Sequence, residues 1–176
     1  MQLRGLPENW DSMLPTFPVD QKGSATRESS GKVLNAIAGK MPWLLGGAAD
    51  LAPSTKTELK DAFCGNFQVP RRDGNEGGNY GGSNFHFGVR EHAMCAIASG
   101  LSLSKLHPYV ASFFIFTDYC RAAIRLSAMM EIPVICIWTH DSISLGEGGP
   151  THHPIEHLPS LRAMPGMIVL RPGGCQ

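Results

Sequence analysis

Helical and strand-like patterns of apolar residues alternate along the chain. Apolar residues recur every three or four positions in four segments, which predicts helices over residues 26–38, 91–101, 118–130 and 155–164. Continuous apolar runs predict strands over residues 43–50, 109–116, 134–138 and 167–170, and the run 134–138 is typical of a strand buried on both faces. This alternation predicts an α/β domain with a mostly parallel sheet flanked by helices on both faces.

Two segments lack such patterns. Residues 1–24 contain Pro7, Pro15 and Pro18 with little periodicity, so we interpret them as an N-terminal linker arm that precedes a domain over residues 25–176. Residues 56–83 are rich in glycine, asparagine and charged residues, which predicts a long loop.

Composition and charge narrow the class of protein. Of 176 residues, 43% are apolar and 17% are charged, which excludes a disordered chain. Fifteen basic and fifteen acidic residues give a net charge of zero, which argues against a nucleic acid or an anionic membrane as a partner. No apolar run approaches the about 18 residues that span a bilayer, so we expect a soluble, cytoplasmic protein. The five cysteines include no C-x-x-C pair, which argues against disulfides and thiolate zinc sites.

Polar and aromatic segments follow the predicted strands, where ligands collect in parallel sheets. Glu91 begins a predicted helix, and it is either a carboxylate that stabilises the first turn or an acid/base group with a raised pKa. Phe113, Phe116 and Tyr119 are spaced three residues apart, which fits either core packing or an aromatic pocket. The loop 139–153 is polar and glycine-rich, as in a substrate-contacting loop.

The histidines of this loop also suggest a metal site. His153 and His157 are four residues apart, but Pro154 interrupts the helix that this spacing requires, and no H-E-x-x-H motif is present. We therefore predict no metal site.

Four segments taken together closely resemble transketolase, in that family's order and spacing. They are GGAADLAPS at residues 46–54, FGVREH at 87–92, the aromatic series through Arg121 at 113–121, and THDS at 139–142 with GPTH at 149–152. Other thiamin diphosphate enzymes share the Arg-Glu region, whereas the ADLAPS and GPTH segments favour transketolase.

The resemblance implies a pyrimidine-binding domain fold and a role in two-carbon ketol transfer from a ketose phosphate to an aldose phosphate. Glu91 matches the glutamate that hydrogen-bonds the aminopyrimidine of thiamin diphosphate and promotes its imino tautomer, which generates the ylide. Phe113, Phe116 and Tyr119 match the aromatic pocket for this ring, and Asp50 lies in a cofactor-proximal motif. His140 and His152 match histidines that bind the donor ketose, and Arg27 and Ser54 match residues that hold the sugar phosphate.

Two departures from the family pattern qualify this interpretation. Transketolases usually carry an acidic residue at the position of Gly148, and its loss predicts relaxed selectivity for aldehydes or reduced activity. The family's diphosphate-binding domain, with its magnesium site, and its C-terminal domain have no counterpart; Asp73-Gly74-Asn75 lacks the context of the magnesium motif. We therefore expect weak thiamin diphosphate binding and no ketol transfer by the chain alone, and either a homo-oligomer or a complementary diphosphate-binding chain as partner.

Three hypotheses remain at this level. The chain is a transketolase pyrimidine domain, as a truncated gene product or as one piece of a split enzyme. Alternatively, it is a non-catalytic binding or assembly module that retains the fold. The third hypothesis, a plain α/β metal or phosphate binder, treats the motif matches as accidental.

Overall fold

A computed structural model describes residues 6–60, 65–70 and 78–173. Within these ranges, four strands form one sheet, and they are β1 (Leu44–Ala48), β2 (Asn84–His86), β3 (His107–Phe113) and β4 (Ile135–Thr139). The strand order is β2-β1-β3-β4, and every neighbouring pair is parallel. The helices are α1 (Thr26–Ala38), α2 (Ala52–Thr55), α3 (Glu91–Leu103), α4 (Arg121–Met129) and α5 (His157–Arg162). The prediction of a parallel α/β sheet is confirmed.

Helices cover both faces of the sheet, as the sequence predicts. On one face, Leu34 and Ala38 of α1 pack against Leu44 and the fully buried Tyr109. On the other face, residues of α3, α4 and α5 pack around Val110, the neighbour of Tyr109 in β3. Successive side chains of a strand point to opposite faces, so β3 contributes to both cores.

A short 3₁₀ helix, Phe114–Tyr119, follows β3, and we call it the aromatic turn. The sequence predicts a strand through residue 116, but the pairing of β3 with β4 ends at Phe113. The turn redirects the chain into α4, so that Phe116 and Tyr119 lie at the end of the sheet. The parallel strands all terminate at one end of the sheet, which we call the carboxyl edge. This end is distinct from the lateral edge formed by an outermost strand.

The structure overturns two predictions about strands. Residues 167–170 form no strand: Met167 and Val169 pack against the core while Ile168 and Leu170 are exposed, an alternation that resembles a strand without its hydrogen bonds. Strand β4 is not buried on both faces, because it lies at the edge of the sheet and Ile135 is 49% exposed.

The predicted loop and linker contain little regular structure in their described parts. Strand β2 lies just beyond the predicted loop, within which Asn66 and Phe67 form isolated bridges to Asn84 and Asn79. Residues 6–25 contain one 3₁₀ helix, Trp10–Met13, and the linker role remains a prediction. Asp73-Gly74-Asn75, Cys64 and Cys175 lie outside the described residues.

The described part of the chain includes no helix both long enough and apolar enough to cross a membrane. Cys95 and Cys120 are buried in the core and Cys136 is half-buried, all three as free thiols.

Candidate functional site

The first component of the site is a buried carboxylate. Glu91 is the first residue of α3 and is only 5% exposed. The Ser112 hydroxyl donates a hydrogen bond to Glu91 Oε1, at 3.2 Å, from the fully buried end of β3. Among the described residues, Ser112 is the one side-chain donor to this carboxylate, and a carboxylate can accept several hydrogen bonds. Glu91 is therefore able to accept a further hydrogen bond.

The aromatic residues predicted from their spacing form a continuous set of rings. Phe113 directly follows Ser112, and its ring is nearly parallel to that of Phe116, with centroids 5.9 Å apart and an interplanar angle of 9°. The Tyr119 ring lies 6.0 Å from that of Phe116 and is 68% exposed. Ser112 and Phe113 are the last two residues of β3, so the Glu91 carboxylate and the row of rings both lie at the carboxyl end of this strand.

The register between β3 and β4 places His140 next to the first ring of this row. Phe113 pairs with Thr139 across β3 and β4, so the next residue, His140, lies beside the phenyl ring. The centroids of the Phe113 and His140 rings are 3.7 Å apart. His140 has a φ of 60°, an uncommon value for a residue other than glycine, and such conformations concentrate at functional sites.

His152 approaches the same rings from the following loop. Its ring meets Phe116 edge-on at 5.6 Å and Phe113 at 6.4 Å. Both histidines line a cavity of about 440 Å³ together with Arg27 and Phe113. The remaining lining residues are Leu145, Glu147, Gly148 and Thr151.

Charge and burial favour the neutral form of His140. Burial lowers the pKa of His140, and the positive charges of Arg27 and His152 lower this pKa further, while Asp141 acts in the opposite direction. The buried Nε of Arg27 has no hydrogen-bond partner among the described residues. The Arg27 guanidinium lines the cavity together with two imidazoles, and such a set of groups is suited to an anionic, oxygen-rich ligand.

Two predicted site residues lie apart from this cavity. Asp50 follows β1 with a φ of 62° and lines a separate cleft of about 240 Å³ with Asn84, His86 and Gly88. Ser54 is exposed on α2 and is not among the residues that line the 440 Å³ cavity. The roles of Asp50 and Ser54 remain predictions.

One group of described side chains has ligand atoms close enough to share a metal ion. It comprises Asp118, Glu156 and His157, whose ligand atoms lie within 4.8 Å of one another. The Arg121 guanidinium lies 3.4 Å from the Asp118 carboxylate, and this positive charge competes with a metal cation there. The prediction of no metal site is not tested by this cluster, which includes neither His140 nor His152.

Sequence reasoning missed three hydroxyls that contact the site residues. Ser112 contacts Glu91, and Thr139 and Thr151 contact the ring nitrogens of His140 and His152, respectively. The signal for the threonines is the dipeptide Thr-His, which occurs at residues 139–140 and again at 151–152.

Comparisons with known proteins agree with the fold of the chain. Residues 22–174 match the family described as "Transketolase, pyrimidine binding domain". The chain is 52% identical over 168 residues to the transketolase of Halalkalibacterium halodurans, covering 95% of this chain and 24% of that protein. It is also 52% identical over 169 residues to the chloroplastic transketolase of Craterostigma plantagineum, covering 95% of this chain and 31% of that protein.

Solved structures of transketolases have the same fold. The Pichia stipitis transketolase in complex with sedoheptulose-7-phosphate superposes with a TM-score of 0.82 at 44% identity, covering 91% of this chain and 23% of that one. A split-gene transketolase, described as an inactive beta4 tetramer, has a TM-score of 0.57 at 28% identity, covering 81% of this chain and 41% of that one. The chain thus spans between about a quarter and a third of the two curated relatives. On the evidence of its fold and of these matches, the chain belongs to the transketolase pyrimidine-binding domain family.

Proposed function

We propose that this domain supplies the pyrimidine-binding half of a thiamin diphosphate site in a transketolase. The observation that carries the proposal is the buried Glu91 carboxylate, whose hydrogen-bond partner Ser112 immediately precedes the first residue of the row of aromatic rings. An aminopyrimidine needs both a hydrogen-bond partner and a flat apolar surface, and these residues offer the two together.

The described residues fit the pyrimidine end of the cofactor. Glu91 retains capacity to accept a hydrogen bond, and the half-buried Phe116 offers a ring face at the carboxyl edge, where parallel sheets bind ligands. We expect the diphosphate and its magnesium ion to be held by a separate diphosphate-binding domain, because such a group is bound mainly through charge-assisted contacts and metal. Asp50, in its separate cleft, is a candidate for a further contact with the cofactor.

Thiamin diphosphate, when bound, supplies the carbanion chemistry of two-carbon transfer. Glu91 orients the pyrimidine by a hydrogen bond and holds or releases a proton at its carboxylate oxygen. Phe113, Phe116 and Tyr119 orient the ring and exclude water from it. The protein's contribution is therefore orientation and proton transfer.

The 440 Å³ cavity is the proposed sugar-binding region. The ring nitrogens of His140 and His152 are suited to the hydroxyl and carbonyl oxygens of a ketose, and Arg27 is suited to its phosphate. Ser54, on α2, is proposed to donate a further hydrogen bond from its hydroxyl to the phosphate. The proposed reaction is transfer of a two-carbon ketol unit from a ketose phosphate to an aldose phosphate.

The partner that completes the site is proposed to be either a second copy or a complementary diphosphate-binding chain. The similarity to a protein described as a split-gene transketolase supports the second possibility. A non-catalytic binding or assembly module is the alternative function. Gly148 favours this alternative, because transketolases usually carry an acidic residue at this position, whereas here the neighbouring Glu147 is the acidic residue that lines the cavity.

Complementation tests the proposed function. The chain is mixed with a separately expressed transketolase diphosphate-binding domain, thiamin diphosphate, magnesium, a ketose phosphate and an aldose phosphate. We expect two-carbon transfer by the mixture and none by either protein alone. A stable complex with no transfer at any protein ratio would support the non-catalytic alternative.

Replacing Gly148 by aspartate is expected to sharpen discrimination between hydroxylated and non-hydroxylated aldehydes in the complemented enzyme. Gly148 lines the cavity, and a Cβ atom there would lie 3.2 Å from the Cβ of His152 and 3.4 Å from Nε2 of His153. A small shift of these neighbours admits the side chain, and a carboxylate that binds a substrate hydroxyl contributes about 1.5–3 kcal/mol. The measurement is the ratio of kcat/KM for a 2-hydroxyaldehyde and its 2-deoxy analogue.

Gly148→Asn is the control for this prediction, because it has nearly the same shape without the charge. An unchanged ratio in Gly148→Asp would refute the role assigned to this position.

A further inference from the structure

Two threonine hydroxyls contact the two histidines of the cavity in the same way. Thr139 Oγ1 lies 2.9 Å from Nδ1 of His140, and Thr151 Oγ1 lies 2.8 Å from Nδ1 of His152. In each pair the threonine immediately precedes the histidine. We propose that Thr139 and Thr151 are positioning residues that occupy Nδ1 of both imidazoles and leave Nε2 as the nitrogen that binds substrate oxygen. The part of this inference that concerns substrate rests on the proposed function.

Ring packing alone does not decide which edge of His140 faces the cavity. The ring packs against Phe113 at a centroid distance of 3.7 Å, which restricts its plane. A 180° rotation about the Cβ–Cγ bond preserves this plane and exchanges Nδ1 with a carbon atom. The two orientations have nearly the same apolar packing, so a hydrogen bond at Nδ1 selects between them.

The Thr139 hydroxyl also selects the position of the proton. Thr139 is only 7% exposed, and its Oγ1 makes no other hydrogen bond within the described part of the chain. An acceptor stabilises a buried hydroxyl, and Nδ1 of His140 lies within reach of the Thr139 hydroxyl. When Nδ1 accepts, a neutral imidazole carries its proton on Nε2. The lowered pKa of His140 favours this neutral form.

Thr151 acts on His152 in the same way but less strongly. Thr151 is exposed, so water competes for its hydroxyl, whereas Thr139 is shielded. The His152 ring is held by edge-on contacts with Phe113 and Phe116. The substrate would therefore meet two N–H donors in one cavity, and His140 would be the more rigidly held of the two.

Valine and serine variants test the proposal in the 176-residue chain. Thr→Val keeps the β-branched shape and removes the hydroxyl, whereas Thr→Ser keeps the hydroxyl. In ¹⁵N-histidine NMR spectra at neutral pH, we expect the Nε2–H tautomer for His140 in the unmodified chain and in Thr139→Ser. We expect a mixture of tautomers in Thr139→Val and a smaller change at His152 in Thr151→Val. Thr117→Val is the control, because it removes a buried hydroxyl that has no hydrogen-bond partner within the described ranges.

Kinetics of the complemented enzyme test the consequence for substrate. We expect Thr139→Val to raise KM for the ketose phosphate about 3- to 10-fold and Thr139→Ser to restore it. A Thr139→Val chain that is folded and retains the Nε2–H tautomer would overturn the positioning role, even if the complemented enzyme is active. A changed tautomer with unchanged KM in an active enzyme would overturn the assignment of Nε2 to substrate. If the complemented enzyme is inactive, the proposed function fails, and the NMR spectra still decide the positioning role.

Discussion

Replacing Glu91 by glutamine is expected to lower two-carbon transfer by the complemented enzyme about 10²- to 10⁴-fold, the range typical of a lost acid/base group. Glutamine has nearly the same shape, and its amide oxygen still accepts the hydrogen bond from Ser112. The substitution removes the carboxylate charge and the ability to hold and release a proton. We expect the fold to be retained, with a loss of about 0.3–1 kcal/mol from the missing negative charge at the start of α3.

Glu131→Gln is the matched control for this variant. Glu131 is exposed in the turn after α4, at the opposite end of β4 from the carboxyl edge, so the same chemical change is expected to leave transfer unchanged. Initial rates and thermal unfolding of both variants are measured together. A folded Glu91→Gln variant with activity within about threefold of the unmodified enzyme would contradict the role of Glu91 in proton transfer.

Replacing Gly46 by alanine is expected to destabilise the domain by more than about 3 kcal/mol, a large part of the stability of a typical domain. A Cβ atom at Gly46 would clash with the carbonyl oxygen of Tyr109 and would lie 2.8 Å from Cδ1 of its ring. Gly46 lies in the middle of β1, between β2 and β3, and Tyr109 is fully buried. Because the clash is with backbone in a paired strand, relief requires β1 and β3 to separate.

Urea denaturation measures this effect, and Gly100→Ala is its control. Gly100 lies within α3, and a Cβ atom there would meet no atom within 4 Å. We expect Gly100→Ala to stabilise the domain by about 0.5–1 kcal/mol, because alanine favours the helix. Equal stabilities for Gly46→Ala and the unmodified chain would show that β1 and β3 do not approach as closely as described.

The elements that were predicted well are those whose burial is periodic. Helices α1 and α3 place small or apolar residues on one face, and strand β1 is buried along most of its length. Strand β2 was missed because it has three residues, of which only Phe85 is a large apolar one. Its position depends on pairing with β1 and on the Asn84 side chain, which bonds to both the N–H and the carbonyl of Leu59. Such long-range partners leave no local pattern in the sequence.

The aromatic and histidine parts of the site were predictable from the sequence for a similar reason. Two local features of the sequence predict them: the spacing of Phe113, Phe116 and Tyr119, and the polar loop after β4. The resemblance to transketolase assigns both features to one site. Local spacing does not reveal that β3 pairs with β4 so that Phe113 and His140 are neighbours. Local spacing also does not reveal that Asp50 and Ser54 lie apart from the cavity, because their positions depend on how the chain turns after β1.

The structure of the chain in complex with a diphosphate-binding domain and thiamin diphosphate tests the central claim most directly. We predict a Glu91 carboxylate oxygen within about 2.6–3.2 Å of a pyrimidine ring nitrogen, with the pyrimidine against the ring of Phe116. A cofactor whose pyrimidine is bound away from Glu91 and the aromatic turn would contradict the claim that these residues form the pyrimidine half of the site.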